Sequence, residues 1–350
     1  MSFDEHGKPL MNAHEYLAYL SEKCKVQKFQ ERQKDGLDAQ MKREGKPFVS
    51  YDGTHNSGEE VVTEAFDRPK LIFNKIQSIL AGSDLELQQS PAIGYLPTMD
   101  LNAVSTTAPN GDPIILLDMV LRSVLHTLIT FTIYVGHEIH KAGGVEKVPE
   151  NILNISGKAI SAGFRLFLRH REAVPDFTEA WKWMLNKVPP EIPETGDVLC
   201  DAVIIFIISH EYAHHVLNHV KSSKKKPFKI SENRLPIELV MASHAQELDA
   251  DKLALDIFLK CHEYNMDFLP FRYLKRHTYA PLFFFDILSV VEATKRFRER
   301  VIKLHPPALE RKKFLNDKVF SNLNEKQKDN YSFISSFLGI NRQQILSLNL

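Results

Sequence analysis

A nearly unbroken apolar run, Val198 to Ser209, leads directly into His210-Glu211-Tyr212-Ala213-His214-His215. A run of that composition is at home only inside a folded core, and it is too short to cross a bilayer as a helix. At about 3.6 residues per turn, His210 and His214 fall on one helical face, one turn apart. The spacing therefore brings two imidazoles to one place at the end of a buried helix. Two ring nitrogens so placed can converge on one tetrahedral metal. Glu211, beside them, can reach a water at that metal without being a ligand, which suits a general base for hydrolysis.

The rest of the chain can supply the core that such a helix needs. Its 350 residues are 43% hydrophobic, enough for one large domain or a catalytic domain with helical additions. Lys plus Arg and Asp plus Glu each number 44, so no global field favours nucleic acid or an anionic membrane. Cys24, Cys200 and Cys261 are widely spaced and odd in number, which does not suit a secreted disulfide framework. The first twenty residues carry acids and histidines where a signal peptide needs a basic stretch and an apolar run. A cytoplasmic location is expected. The most apolar long segment, Ile114 to Val135, is interrupted by Asp118, Arg122 and His126, each costly at a bilayer centre. It reads as a buried strand and helix, and no membrane span is expected.

Punctuation divides the chain. Residues 1–48 are rich in Lys, Glu and Gln with scattered Leu, Tyr and Phe, the pattern of an amphipathic helical extension, expected to be a solvated appendage. A turn-rich linker runs from Tyr51 to Glu60, followed by a helix from about Glu59 to Leu80. Pro and Gly break residues 90–117 into short extended pieces, the one region where strands are expected. Helical periodicity dominates thereafter, with a helical insertion at about residues 137–197 and a helical tail over 321–350. Residues 49–320 would form the catalytic domain. Lys221 to Pro227 reads as a basic loop, and Phe283, Phe284 and Phe285 with Leu282 and Leu288 read as core packing. Gly136-His137-Glu138-Ile139-His140 spaces its histidines by three and reads as a helix end.

A catalytic zinc usually takes three protein groups and leaves a position open, so a third ligand is required. Met241-Ala-Ser-His-Ala-Gln-Glu247-Leu-Asp-Ala-Asp251 supplies it, because Glu247 and Asp251 share a helix face. Glu247 is the candidate ligand, with Asp251 accepting a hydrogen bond from a ligand histidine to fix its tautomer. The alternative is a solvated acidic face that also includes Asp249. His215 and His219 lie a step round the helix from the ligand face.

HEYAH followed by ELDAD resembles the M48-type gluzincin metallopeptidases. Asn102 to Leu117 is similar to the segment that supplies that family's edge strand, and His305-Pro306-Pro307-Ala-Leu-Glu310-Arg311 is similar to its C-terminal HPPxxER element. Lit-like phage-exclusion peptidases and ImmA-like regulatory peptidases are similar in the same motifs. The M48-type resemblance implies a mainly helical α+β fold of zincin type, whose small sheet has an edge strand bordering the active-site cleft. It implies one catalytic Zn2+ on His210, His214 and Glu247, and a protein or peptide substrate lying extended near Ile114 to Leu117. It also makes His305 a candidate donor to the oxyanion, while Arg311 could brace an acid such as Asp251. The alternative class is a zinc-binding regulatory or sensor protein on a degenerate peptidase fold. Residues 137–197 separate the strand segment from the zinc helix more widely than that family commonly does. Oligomeric state and cleavage specificity leave no trace in the sequence.

Overall fold

Ile114 to Leu117 forms the middle of a small sheet around which the first part of the chain is built. The computed structural model describes residues 11–45, 47–50, 53–96, 103–167, 179, 182–183, 187–189, 191–230, 235–263, 274–292 and 305–347. They fall into two compact units, residues 1–121 with 207–260, and residues 122–206 with 261–350. The fold is mainly helical α+β.

In the first unit, α1 (Ala13–Lys23) starts on a capping box. The Asn12 side chain accepts from the Glu15 N–H, and the Glu15 carboxylate accepts from the Asn12 N–H, satisfying two donors that a first helical turn leaves open. A second helix, α2 (Val26–Glu44), stops at Gly45, whose φ of 65° lies in the left-handed region that glycine enters without steric cost. A short hairpin of β1 (Phe48–Ser50) and β2 (Gly53–His55) follows. Next comes α3 (Gly58–Leu80), capped by Ser57 and Glu60 in the same reciprocal way. Its apolar residues recur at helical spacing, and Phe66, Ile72, Phe73, Ile76, Ile79 and Leu80 are buried.

The sheet has the order β3 (Ala92–Leu96), β5 (Pro113–Asp118), β4 (Ala103–Thr107). Strand β5 runs parallel to β3 and antiparallel to β4, with Ile114 opposite Ala92 on one side and Thr106 on the other. Ile114 to Leu117, whose side chains alternate between the two faces, are all buried, so both faces of β5 are covered and the strand is apolar without alternation. Ala13 and Leu20 of α1 are buried with Ala92, Leu96, Ile114 and Leu116. Helix α1 is therefore not a solvated appendage: Leu20 is core, and truncating such a leucine to alanine costs on the order of 2–5 kcal/mol.

Three of the sequence expectations change here. Strands are not confined to residues 90–117, since β6 (Lys224–Ile230) and β7 (Leu235–Met241) pair antiparallel, Lys224 opposite Met241. The supposed basic loop at Lys221 to Pro227 thus enters a strand. Pro227 and Pro236 disguise the hairpin, because proline argues against a central strand, yet a two-stranded ribbon has outer edges where no N–H is needed. Third, Ile114 to Leu117 is the central strand and not an edge, so both of its backbone sides are already hydrogen-bonded to neighbours. The edge strands are β3 and β4, and β7 passes beside β4.

The second unit is helical. Its α4 (Leu121–Ala142) and α5 (Glu150–Phe167) are followed by α6 (Glu191–Val216), which begins in this unit and ends in the first. Arg122, one of the residues that interrupts the apolar segment after β5, donates to Asp201 at 3.1 Å and to Asp197 at 3.0 Å, acids one turn apart on α6. The strand-then-helix reading of Ile114 to Val135 holds as β5 and α4. Gly136 lies under the ring of Phe333, where a Cβ would collide. Beyond lie α9 (Ala280–Glu292), α10 (Ala308–Phe320) and α11 (Glu325–Ser347). Phe206, Phe284 and Phe285 meet in mostly edge-on contacts, so the aromatic cluster is core as expected. Between α6 and β6, the four-residue α7 (His219–Ser222) follows the His210 to His215 segment, and α8 (His244–Glu263) follows β7. Among the described residues, no helix is long and apolar enough to cross a membrane.

Candidate metal centre

The last turns of α6 and the first turns of α8 face each other within the first unit. Burial of Ile204 to Ile208 seats α6, and its final turns carry His210, Glu211, Tyr212, His214 and His215. Helix α8 starts at a local cap, the Ser243 N–H donating to the Gln246 side chain and the Gln246 N–H to the Ser243 hydroxyl. That start puts Glu247 in the first turn, where the exposed backbone N–H groups favour a carboxylate. Asp251 follows one turn later on the same face.

His210, His214 and Glu247 each present one candidate ligand atom, all within 4.8 Å of one another, and all three residues are buried. The two Nε2 atoms lie 3.1 Å apart with the rings nearly perpendicular, at 86°. Glu247 Oε2 is 3.5 Å from His210 Nε2, and Oε1 is 3.6 Å from His214 Nε2. On the far side of the first ring, His210 Nδ1 meets Asp251 Oδ1 at 2.9 Å, with Asp251 fully buried. A carboxylate only accepts, so the ring proton belongs on Nδ1 and Nε2 offers its lone pair toward His214 and Glu247. His214 Nδ1 in turn faces His219 Nδ1 at 3.1 Å.

The remaining residues of the motif tie α6 to the sheet. The Ser105 hydroxyl of β4 contacts Glu211 twice, at 2.5 Å to Oε2 and 2.8 Å to the backbone oxygen. His215 Nε2 meets the backbone oxygen of Ile114 at 3.1 Å. Burial pushes the pKa of His215 down to about 4, so the ring is neutral near pH 7 and donates to that carbonyl. The Tyr212 hydroxyl donates to Leu85 O at 3.0 Å and accepts from the Leu87 N–H at 3.2 Å. Burial lowers the pKa of His219, opposed by the charges of Asp249 and Glu247.

The structure brings His210, His214, Glu247 and Asp251 to one place, with Glu211 next to His210 on α6. His305 and Arg311 belong to the second unit, where the buried Arg311 guanidinium lies over the Phe285 ring at 4.9 Å. By sequence, His219 lies off the ligand face and Ser105 is unmarked. A helical wheel turns His219 away from His214, but α6 ends at Val216 and Asn218 takes a left-handed φ of 56°. That reversal returns the His219 ring to His214, and the asparagine is its one sequence signal. Ser105 carries none, being a serine in a strand.

Comparison with known proteins adds a family. Residues 129–324, more than half of the chain, match the family described as Peptidase U49. The matched region contains HEYAH, ELDAD and His305 to Arg311. No curated protein and no solved structure matches the chain. The match supports a peptidase and does not place the chain among the M48-type gluzincins. The chain belongs to the Peptidase U49 family.

Proposed function

We propose that the chain is a zinc-dependent endopeptidase in which His210, His214 and Glu247 hold one Zn2+ and Glu211 is the general base. The observation that carries the reading is the convergence of two imidazole Nε2 atoms and one carboxylate, all buried, within 4.8 Å. The donor set fits the metal: two neutral imidazoles and one carboxylate are the ligands of a catalytic zinc with an open position. The Asp251 contact with His210 Nδ1 fits as well, since it leaves Nε2 as the ligating nitrogen.

Zinc at this position would polarise a peptide carbonyl and lower the pKa of a water toward 7. Glu211 then removes a proton from the attacking water and delivers it to the departing amine as the C–N bond breaks. His210 and His214 stay neutral throughout, their orientation set through their Nδ1 atoms. Strand β4, which carries Ser105, is the edge from which a peptide is presented to Glu211. The roles of His305 as oxyanion donor and of Arg311 as a brace rest on the resemblance of the His305 to Arg311 segment alone.

Glu211→Gln tests the reading. The variant is expected to retain its zinc and lose cleavage of a quenched fluorescent peptide library. Cleavage at the wild-type rate would remove the general-base assignment, and full zinc content without cleavage in the wild type would favour a sensor.

A further inference from the structure

The Glu211 carboxylate is the one group in the proposed mechanism that must move a proton, so what fixes its orientation matters. Ser105 is nearly fully buried, and its hydroxyl lies 2.5 Å from Glu211 Oε2 and 2.8 Å from Glu211 O. A serine has a single hydroxyl proton, and the shorter contact is to the carboxylate. Hydrogen bonds to an ionised acceptor are the shorter and stronger class. Backbone pairing holds the serine itself: Ser105 stands opposite Ile115 in the β4–β5 ladder. The hydroxyl therefore comes from a rigid strand and engages the carboxylate at Oε2.

We propose that Ser105 is a positioning residue for Glu211, coupling edge strand β4 of the sheet to the general base. The proposal rests on the reading of Glu211 given above. It has two consequences. A carboxylate held at Oε2 by a fixed hydroxyl loses rotational freedom, so the hydroxyl acts on turnover and not on substrate affinity. Any shift of β4 when a peptide lies along it is passed to Glu211 through the same bond.

The test uses the full-length, zinc-loaded protein and the most rapidly cleaved member of a quenched fluorescent peptide library. Ser105→Ala is expected to lower kcat by about 10- to 100-fold, the scale of one hydrogen bond to a charged group, with KM and zinc content unchanged. Ser105→Cys fills the same space with a weak donor and is expected to behave like the alanine variant. Ser105→Thr keeps the hydroxyl and is expected to recover most of kcat. Equal kcat in wild type and Ser105→Ala, or a loss in the threonine variant as deep as in alanine, would overturn the proposal.

A second readout needs no metal. In the metal-free protein, Ser105→Ala is expected to lower Tm more in the wild-type background than in Glu211→Ala, because the carboxylate partner is gone in the latter. Equal shifts in both backgrounds would also overturn it. The outcomes separate from those of the general-base reading. Cleavage by Glu211→Gln would sink that reading and leave the Tm coupling intact, whereas inactive Glu211→Gln with unaltered Ser105→Ala would sink the positioning role alone.

Discussion

The two ends of α6 bury polar groups in opposite ways. Toward its start, Asp197 and Asp201 face Arg122 at 3.0 and 3.1 Å, and a permanent cation from the protein meets the two carboxylates. Burial disfavours the charged guanidinium, but Asp201 and Asp197 outweigh it and hold its pKa well above the usual range. Toward the end of the helix, His210, His214 and Glu247 turn candidate ligand atoms toward one another. The first arrangement completes itself within the fold, while the second gathers ligand atoms around one point. A buried ion pair fixes a helix in place, and a buried set of candidate ligand atoms is suited to hold a metal.

The largest effect expected from this contrast is on stability at the Arg122 end. Arg122→Leu leaves Asp201 buried without its cation and should cost about 3–5 kcal/mol, measured by chemical unfolding of the metal-free protein. Zinc bound per folded chain should stay the same. A variant as stable as wild type would break the comparison, because the ion pair would then be dispensable.

At the other end, Asp251→Ala should leave stability less affected and weaken zinc affinity by about 10- to 100-fold, read by competition with a chromophoric chelator. Unchanged affinity would show that the contact to His210 Nδ1 does not orient the ligand.

An effect of similar size is an acid sensitivity of the second unit. His277, in the 3-10 turn Leu274–His277, has its pKa pushed down to about 4 by burial, with Arg276 adding to the shift. Between pH 6.5 and 4 the unfolded chain takes up a proton that the folded chain refuses, so stability falls as pH falls through that window. The loss at pH 5 is about 2 kcal/mol relative to neutral pH. In His277→Phe the drop in unfolding free energy from pH 7.5 to pH 5 should shrink by that amount, and an equal drop would contradict it.

Much of this arrangement was legible in the residues. The four-residue spacing of His210 and His214, and of Glu247 and Asp251, is a helical period that survives whatever the fold does around it. The apolar run before His210 announced a buried helix, and Ile114 to Leu117 announced a buried strand. What the sequence hid depends on backbone reversals and on pairing between distant segments. Asn218 turns the chain so that His219 meets His214, which no uniform helical wheel anticipates. The β6–β7 hairpin reads as a lysine- and proline-rich loop because two-stranded pairing tolerates residues that a central strand excludes. Ser105 and Glu211 are 106 positions apart, and their contact exists only once the β4–β5 ladder has set its register. The position of β5 at the middle of the sheet, where an edge was expected, likewise follows from β3 pairing on its other side.

The most direct test of the metal centre is the zinc content of wild type and Glu247→Ala, purified in parallel, incubated with excess Zn2+ and freed of loose metal, then measured by mass spectrometry. A centre held by two imidazoles and this carboxylate requires close to a single zinc per chain in the wild type and a large loss in the variant. Equal zinc in both proteins, or none in the wild type, would contradict it.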